Sequence, residues 1–148
     1  MAFFWPVRVY YEDTDSGGVV YHSNYVSFME RARTEYLRAK GISQAQLINE
    51  HQLLFAVRHV SAEYIRPARF DELLAIKTEI QAHNRLSLQF RQEVYRVKED
   101  DAQRLPGWQL TIDDNNLLCE GLVKVVALDS QTMQPKRMPQ ELVEEMTA

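Results

Sequence analysis

Residues Tyr11 to Tyr25 read Y-E-D-T-D-S-G-G-V-V-Y-H-S-N-Y, an acidic pair and two adjacent glycines between segments of different period. Upstream, Val7, Val9 and Tyr11 alternate with Arg8 and Tyr10, the two-residue period of a half-buried strand. Downstream, Tyr25, Phe28, Met29, Ala32, Tyr36 and Ala39 recur at helical spacing, while Glu30, Arg31, Arg33, Glu35 and Arg38 take the other faces. Ser23 or Asn24 is expected to cap the start of this helix, and Gly41 to end it in the left-handed conformation. Asp15 and Gly18 therefore sit just before a helix N-terminus, where backbone N–H groups lack partners and the helix dipole favours negative charge. An oxyanion developing there, beside a carboxylate able to attack or to activate water, matches the demands of acyl transfer.

Other chemistries fit the loop less well. Asp and Gly are the ordinary residues of tight turns, so D-T-D-S-G-G taken alone is first of all a strand-to-helix connection. A calcium-binding EF-hand loop would need an oxygen ligand at Gly17 and a bidentate glutamate at Asn24, and neither residue supplies it. A phosphate-cradling or aspartyl-phosphate loop requires alternating strands and helices, with a lysine that does not follow. An aspartic protease needs two such loops, and the chain has one.

The run Asp15, Gly18, Tyr21, His22, Asn24 and Tyr25, continued by Glu30-Arg31-Ala32-Arg33-Thr34-Glu35, resembles the 4-hydroxybenzoyl-CoA thioesterase-type branch of the hotdog superfamily. Within that branch, R-V-Y-Y-E-D-T-D-x-G-G-V-V-Y-H-x-x-Y-x-x-x-x-E-R-A-R-T-E is similar to the bacterial acyl-CoA thioesterases associated with the Tol–Pal envelope system. The likeness continues through V-x-x-E-Y-x-x-P-A-R at Val60 to Arg69 and on to Pro139. It implies an α+β hotdog fold, a long central helix packed on a curved antiparallel sheet. It also implies hydrolysis of acyl-CoA to a carboxylate and free coenzyme A without metal or organic cofactor.

The resemblance assigns roles as well. Asp15 corresponds to the catalytic carboxylate, a nucleophile forming a mixed anhydride or a general base on water. The His22 amide corresponds to the donor that polarises the thioester carbonyl, and Gly18 lets the backbone approach the substrate. Tyr21 and Tyr25 are candidates for the acyl pocket, although the helical stripe also makes Tyr25 a core residue. Asp13 is expected to be a turn-capping carboxylate. For the coenzyme A phosphates the candidates are Arg58, Arg66, Arg69, Arg85 and Arg91, with Arg85 and Ser87 preferred because they open the strand that borders the pantetheine channel in similar enzymes. Such enzymes form homodimers, with sheets side by side and active sites at the interface, and often homotetramers made of two dimers. A competing expectation is a weakly catalytic or non-catalytic hotdog that docks acyl carrier protein or phospholipid-synthesis enzymes at the inner membrane surface. A hotdog dehydratase is disfavoured, because those enzymes pair a His with a carboxylate in a different motif.

The rest of the chain agrees with one hotdog domain over residues 1–148. At 45% hydrophobic and 26% charged, the composition is that of an ordinary globular domain. A net charge of −4, with no basic run, argues against a nucleic-acid partner. No segment approaches a transmembrane helix, and Phe3-Phe4-Trp5, interrupted by Pro6 and Arg8, is too short for a signal sequence, which points to the cytoplasm. The single Cys119 lies in the apolar run Leu117 to Leu128 and reads as a core residue. His51, His59 and His83 show no metal-ligand spacing. Ser43 to Gln52 reads as a short helix, Leu54 to Arg66, Leu74 to Ile80, Leu86 to Phe90 and Leu117 to Leu128 as strands, and Glu141 to Met146 as a terminal helical turn. Lys98 to Asn115 is longer than the family's usual hairpin connection and is expected to be a polar surface loop, or an arm carrying Trp108, Leu110 and Ile112.

Overall fold

The computed structural model describes residues 1–148. Strands β1 (Phe3–Arg8), β2 (Leu53–Tyr64), β3 (Leu73–His83), β4 (Ser87–Val97) and β5 (Leu117–Asp129) form one sheet in the order β1-β3-β4-β5-β2, every pair antiparallel. Helix α1 (His22–Ala39) lies along its concave face, with α2 (Gln44–His51) and α4 (Gln140–Thr147) at one end.

Strand alternation decides which side chains meet the helix. Leu74, Ile76 and Thr78 of β3 stand beside Val94 and Gln92 of β4, and all are fully buried. Phe28, Met29 and Ala32 of α1 close over this surface, and Tyr36 and Leu37 continue the stripe into a second cluster with Leu88, Phe90, Val123 and Val125. Burying a side chain such as Phe28 contributes about 2 kcal/mol. Gly121 of β5 lies where the helix comes closest, since a Cβ there would stand 3.0 Å from the Met29 sulfur.

Three expectations change in the structure. The first strand ends at Arg8, and Tyr11 is 80% exposed in a 3-10 turn spanning Tyr11–Asp13. The reason is local: the Asp13 carboxylate accepts the Tyr10 N–H at 2.9 Å, closing a turn where a ladder would otherwise continue. The helix begins at His22 after Tyr21, earlier than Ser23 or Asn24 would place it, because the Asn24 side chain turns to Asp13 and caps nothing. Gly41, with φ +81°, does end it as expected.

The third change concerns Lys98 to Asn115, which is neither a loose loop nor a hairpin arm. After β4 it forms a short helix α3 (Glu99–Ala102), with Glu99 paired to Arg8 at 2.5 Å, and then runs beside β1. There Phe4 N–H donates to Gly107 O at 2.8 Å and Gly107 N–H to Phe4 O at 3.1 Å. Trp108 packs 4.9 Å from the Phe3 ring and 5.7 Å from Tyr36, with the Lys40 ammonium 4.8 Å over its face. The chain returns to β5 past the convex face, where Phe4 and Tyr95 are buried. The segment thus occupies the β1 edge at Phe4, whose N–H and C=O would otherwise be open to another chain. Trp108→Ala should therefore lower stability by about 2–4 kcal/mol, read as a shift in the urea midpoint, whereas a detachable loop would lose almost nothing.

Candidate active site

Asp13 organises the loop that carries Asp15. Its carboxylate is buried and accepts two hydrogen bonds, from Tyr10 N–H at 2.9 Å and from Asn24 Nδ2 at 3.0 Å. Its carbonyl accepts Tyr21 N–H at 2.9 Å. One residue thereby ties the end of β1 to the first turn of α1, the turn-capping role expected of it. Between these anchors the chain makes a tight excursion: Asp15 N–H donates to Val19 O at 2.9 Å and Gly18 N–H to Asp15 O at 3.1 Å. Gly18 has φ +79°, the left-handed region that a side chain would resist. Val20 N–H donates to Ala68 O at 2.8 Å, pinning the far side of the loop next to β3.

Asp15 itself is exposed. Its Oδ1 accepts Gly17 N–H at 2.8 Å, and a Cβ at Gly17 would crowd that oxygen at 3.2 Å. His22, also exposed, opens α1, and its backbone N–H has no acceptor within the chain. The segment thus carries an exposed carboxylate at Asp15 and, seven residues on, a free helix N-terminal donor at His22.

A cleft of about 260 Å³ opens at His22, walled by Val20, His22, Tyr25, Tyr64, Ile65, Arg66 and Pro67, with Asp15 outside its lining. Tyr25 is buried and its hydroxyl accepts Ala68 N–H at 2.9 Å, so it is at once core and cleft wall; burial raises its phenol pKa. Tyr21 is 48% exposed, with its ring 4.3 Å from His22. Tyr64 escaped the sequence analysis. Its hydroxyl donates to His22 O at 3.0 Å and its ring stands 5.4 Å from Tyr25, bracing the helix start from β2. Counting by two along β2 from Phe55 would turn Tyr64 away from the helix, but a bulge between Val57 and His59 reverses the phase.

The two residues preferred for coenzyme A lie elsewhere in the chain. Arg85 and Ser87 occupy the β3–β4 hairpin, at the far end of those strands from Leu73, near which the Asp15 loop sits. Arg85 Nε donates to Met138 O at 2.9 Å, while Ser87 is buried against Asn84. The fold of the chain does not bring them to Asp15. Beside them a cleft of about 270 Å³ on the convex face is lined by Arg58, Ser87 and Lys124, and neither cation takes part in an ion pair. Of the other arginines, Arg66 donates to Leu117 O at 2.7 Å and Arg91 faces Glu120 at 3.8 Å. Cys119 is fully buried beneath α1, and burial pushes its thiol up to about 12.

One long helix wrapped by a five-stranded antiparallel sheet, with an acidic loop at the helix start, is the hotdog arrangement. Solved structures share it: a 4-hydroxybenzoyl-CoA thioesterase bound to 4-hydroxybenzoyl-CoA superposes with a TM-score of 0.80 at 19% identity, over 99% of each chain. A probable thioesterase from Bartonella henselae gives 0.75 at 32% identity, over 93% of this chain and 99% of that one. The family model of the thioesterase superfamily matches residues 17–103. The acyl-CoA thioester hydrolase YbgC of Escherichia coli is 45% identical over 143 residues, 97% of this chain and 94% of that protein. The chain belongs to the thioesterase superfamily, and within it to the family of the YbgC acyl-CoA thioesterases. No helix is long and apolar enough to cross a membrane.

Two measurements test the division of labour in the loop. Asp13→Ala should cost about 2 kcal/mol in urea unfolding, since two donors lose a buried acceptor, whereas Asp15→Asn, at an exposed position, should change stability by less than about 0.5 kcal/mol. Cys119 should react with a thiol reagent at pH 8 only as fast as the protein opens. Its thiol is raised from 9.0 in the unfolded chain to about 12 in the folded one, so the contribution is intact below 9.0 and is lost as pH climbs toward 12.

Proposed function

We propose that the protein hydrolyses the thioester of acyl-CoA to a carboxylate and free coenzyme A at the start of α1, with Asp15 as the reacting carboxylate. The observation that carries this is the exposed Asp15 side chain on the same loop as the unpartnered His22 N–H, which begins an 18-residue helix. The family membership and the names of the relatives support the substrate class.

The thioester carbonyl oxygen accepts the His22 N–H, which, with the helix dipole behind it, stabilises the oxyanion as the carbonyl carbon becomes tetrahedral. Two routes use the same groups. In one, an Asp15 oxygen attacks the carbonyl, the intermediate expels the coenzyme A thiolate, and water cleaves the mixed anhydride to restore the carboxylate. In the other, Asp15 takes a proton from water as its oxygen attacks, and the same thiolate departs. Gly18 leaves room for the backbone to approach the ester, and Tyr21 and Tyr25 flank the acyl group at the entrance of the cleft.

A second copy of the chain completes the site in this account. The β2 edge is unpaired, and its concave side exposes Val57, Val60 and Tyr64, an apolar strip on an open strand. Pairing through this edge joins two sheets, and a homodimer, or a homotetramer of two dimers, buries the strip. It also offers a way for the Arg58, Arg85, Ser87 and Lys124 region of one protomer to serve the coenzyme A phosphates of a substrate held at its partner's Asp15 loop.

The test is thiol release from a panel of acyl-CoAs, short aliphatic, palmitoyl and aromatic, with wild type and Asp15→Asn. Wild type should cleave at least one, and the folded variant should lose about 10²–10⁴-fold in kcat. If both proteins behave alike, Asp15 is only a turn residue, and docking of acyl carrier protein becomes the better account.

A further inference from the structure

Arg33 is the one charged residue that α1 buries, and it makes no ion pair, the nearest carboxylate being that of Glu30 one turn back on the helix. It is 7% exposed, and none of the ion pairs in the molecule includes it. Its Nη1 donates to Gln92 Oε1 at 3.0 Å, and Gln92 is clamped in turn by donating to Met29 O at 2.8 Å and Thr78 Oγ1 at 2.9 Å. A guanidinium has five N–H donors, and this neutral partner takes one of them. Burial pulls the Arg33 pKa down, and the Glu30 charge acts against it. Charges removed from water are normally paired, and those that are not tend to mark places where a ligand supplies the partner.

The surroundings fit a ligand. A crevice of about 90 Å³ opens beside Arg33 between α1 and the concave face; Phe55, Val57, Leu88, Phe90 and Val125 form its apolar side, and Glu30, Thr34 and Gln44 its polar rim. The crevice and the cleft at His22 open on the same face of β2. Through the β2 bulge, Tyr64, Ala62, Val60, Val57 and Phe55 pair with Cys119, Gly121, Val123, Val125 and Ala127, and so share the concave side. Tyr64 walls the cleft at His22, and Val57 and Phe55 wall the crevice at Arg33. Along α1, Arg33 follows His22 by eleven positions, about 16 Å at a rise of about 1.5 Å per residue. An extended dodecanoyl chain has a comparable length.

Resting on the function proposed above, we propose that this crevice receives the far end of the acyl group, and that Arg33 makes it select chains bearing a hydrogen-bond-accepting oxygen, carboxylate or hydroxyl, at that end. The apolar walls hold the methylenes, and the free N–H groups of Arg33 meet the oxygen, a charge-assisted bond that an unsubstituted alkyl end cannot make. Arg33 is a specificity-determining residue in this scheme and takes no part in the chemistry at Asp15.

Hydrolysis of dodecanoyl-CoA, ω-hydroxydodecanoyl-CoA and dodecanedioyl-CoA is compared for wild type and for Arg33→Met, which keeps the bulk and removes the charge. Wild type should favour at least one oxygenated chain by about 10-fold or more in kcat/KM, and the Met variant should bring that ratio to about 1 while still cleaving dodecanoyl-CoA. A wild-type ratio of 1, or an equal fall on all three esters as a purely structural arginine would give, overturns the proposal. Should the Met variant not fold, Arg33→Lys retains the charge without the fork, and should reduce the preference while sparing dodecanoyl-CoA. A readout free of catalysis separates this inference from the one beneath it: free dodecanedioic acid should raise the Tm of wild type more than dodecanoic acid does, and not that of the Met variant. Without that difference the crevice assignment fails even if thioesters are cleaved. With it, but with no acyl-CoA cleaved, the oxygen selectivity stands and the acyl-CoA assignment falls.

Discussion

Helix α1 has one place to bury its apolar stripe, the concave face of the sheet, and much of the remaining structure follows from that constraint. Phe28, Met29 and Ala32 must lie over Ile76 and Val94, so the helix start is held near the beginning of β3, where the Asp15 loop also anchors. Asp13 then converts approximate packing into a defined geometry. Its three hydrogen bonds, two to the carboxylate and one to the carbonyl, join Tyr10, Asn24 and Tyr21, so the loop between them has little freedom. The first N–H of α1 is thereby held in place by the packing of a whole helix.

The same packing leaves the β2 side of the concave face thinly covered. Along it run the cleft at His22, the exposed Val57 and Val60, and the crevice at Arg33. A face that completed the core of a monomer would have closed these openings with apolar side chains. Instead an arginine is buried there without a carboxylate partner, a cost that a stability-driven core would avoid.

The two edges of the sheet are treated differently. The segment after β4 pairs Gly107 with Phe4 and folds Trp108 onto Phe3 and Tyr36, so the β1 edge is occupied from within the chain. The β2 edge is left unpaired and apolar on its concave side. The two opposite edges of the sheet therefore differ in how far their backbone groups are satisfied within the chain.

Much of this was legible in the sequence. The shift from a two-residue to a helical period around D-T-D-S-G-G located the loop; the stripe from Tyr25 to Tyr36 identified the buried side of α1; Gly41 marked its end; and Asp13 could be told from Asp15 as the structural member of the pair. These features depend on neighbours a few positions apart, which a linear reading captures. Other features could not be read that way. The bulge at β2 reverses which residues face the helix, so Tyr64 entered the site unannounced. Lys98 to Asn115 is polar enough to pass for a loop, yet Trp108 and Gly107 find partners about a hundred positions upstream. Arg33 looked like one of several solvent-facing charges until the packing of α1 turned it inward onto Gln92. By itself the sequence determined most of the elements, the fold class and the family, because these follow from local pattern and side-chain chemistry. Only the tertiary structure decided which edge is open and which charge is buried, because strand phase, edge pairing and burial are set by contacts between residues far apart in the chain.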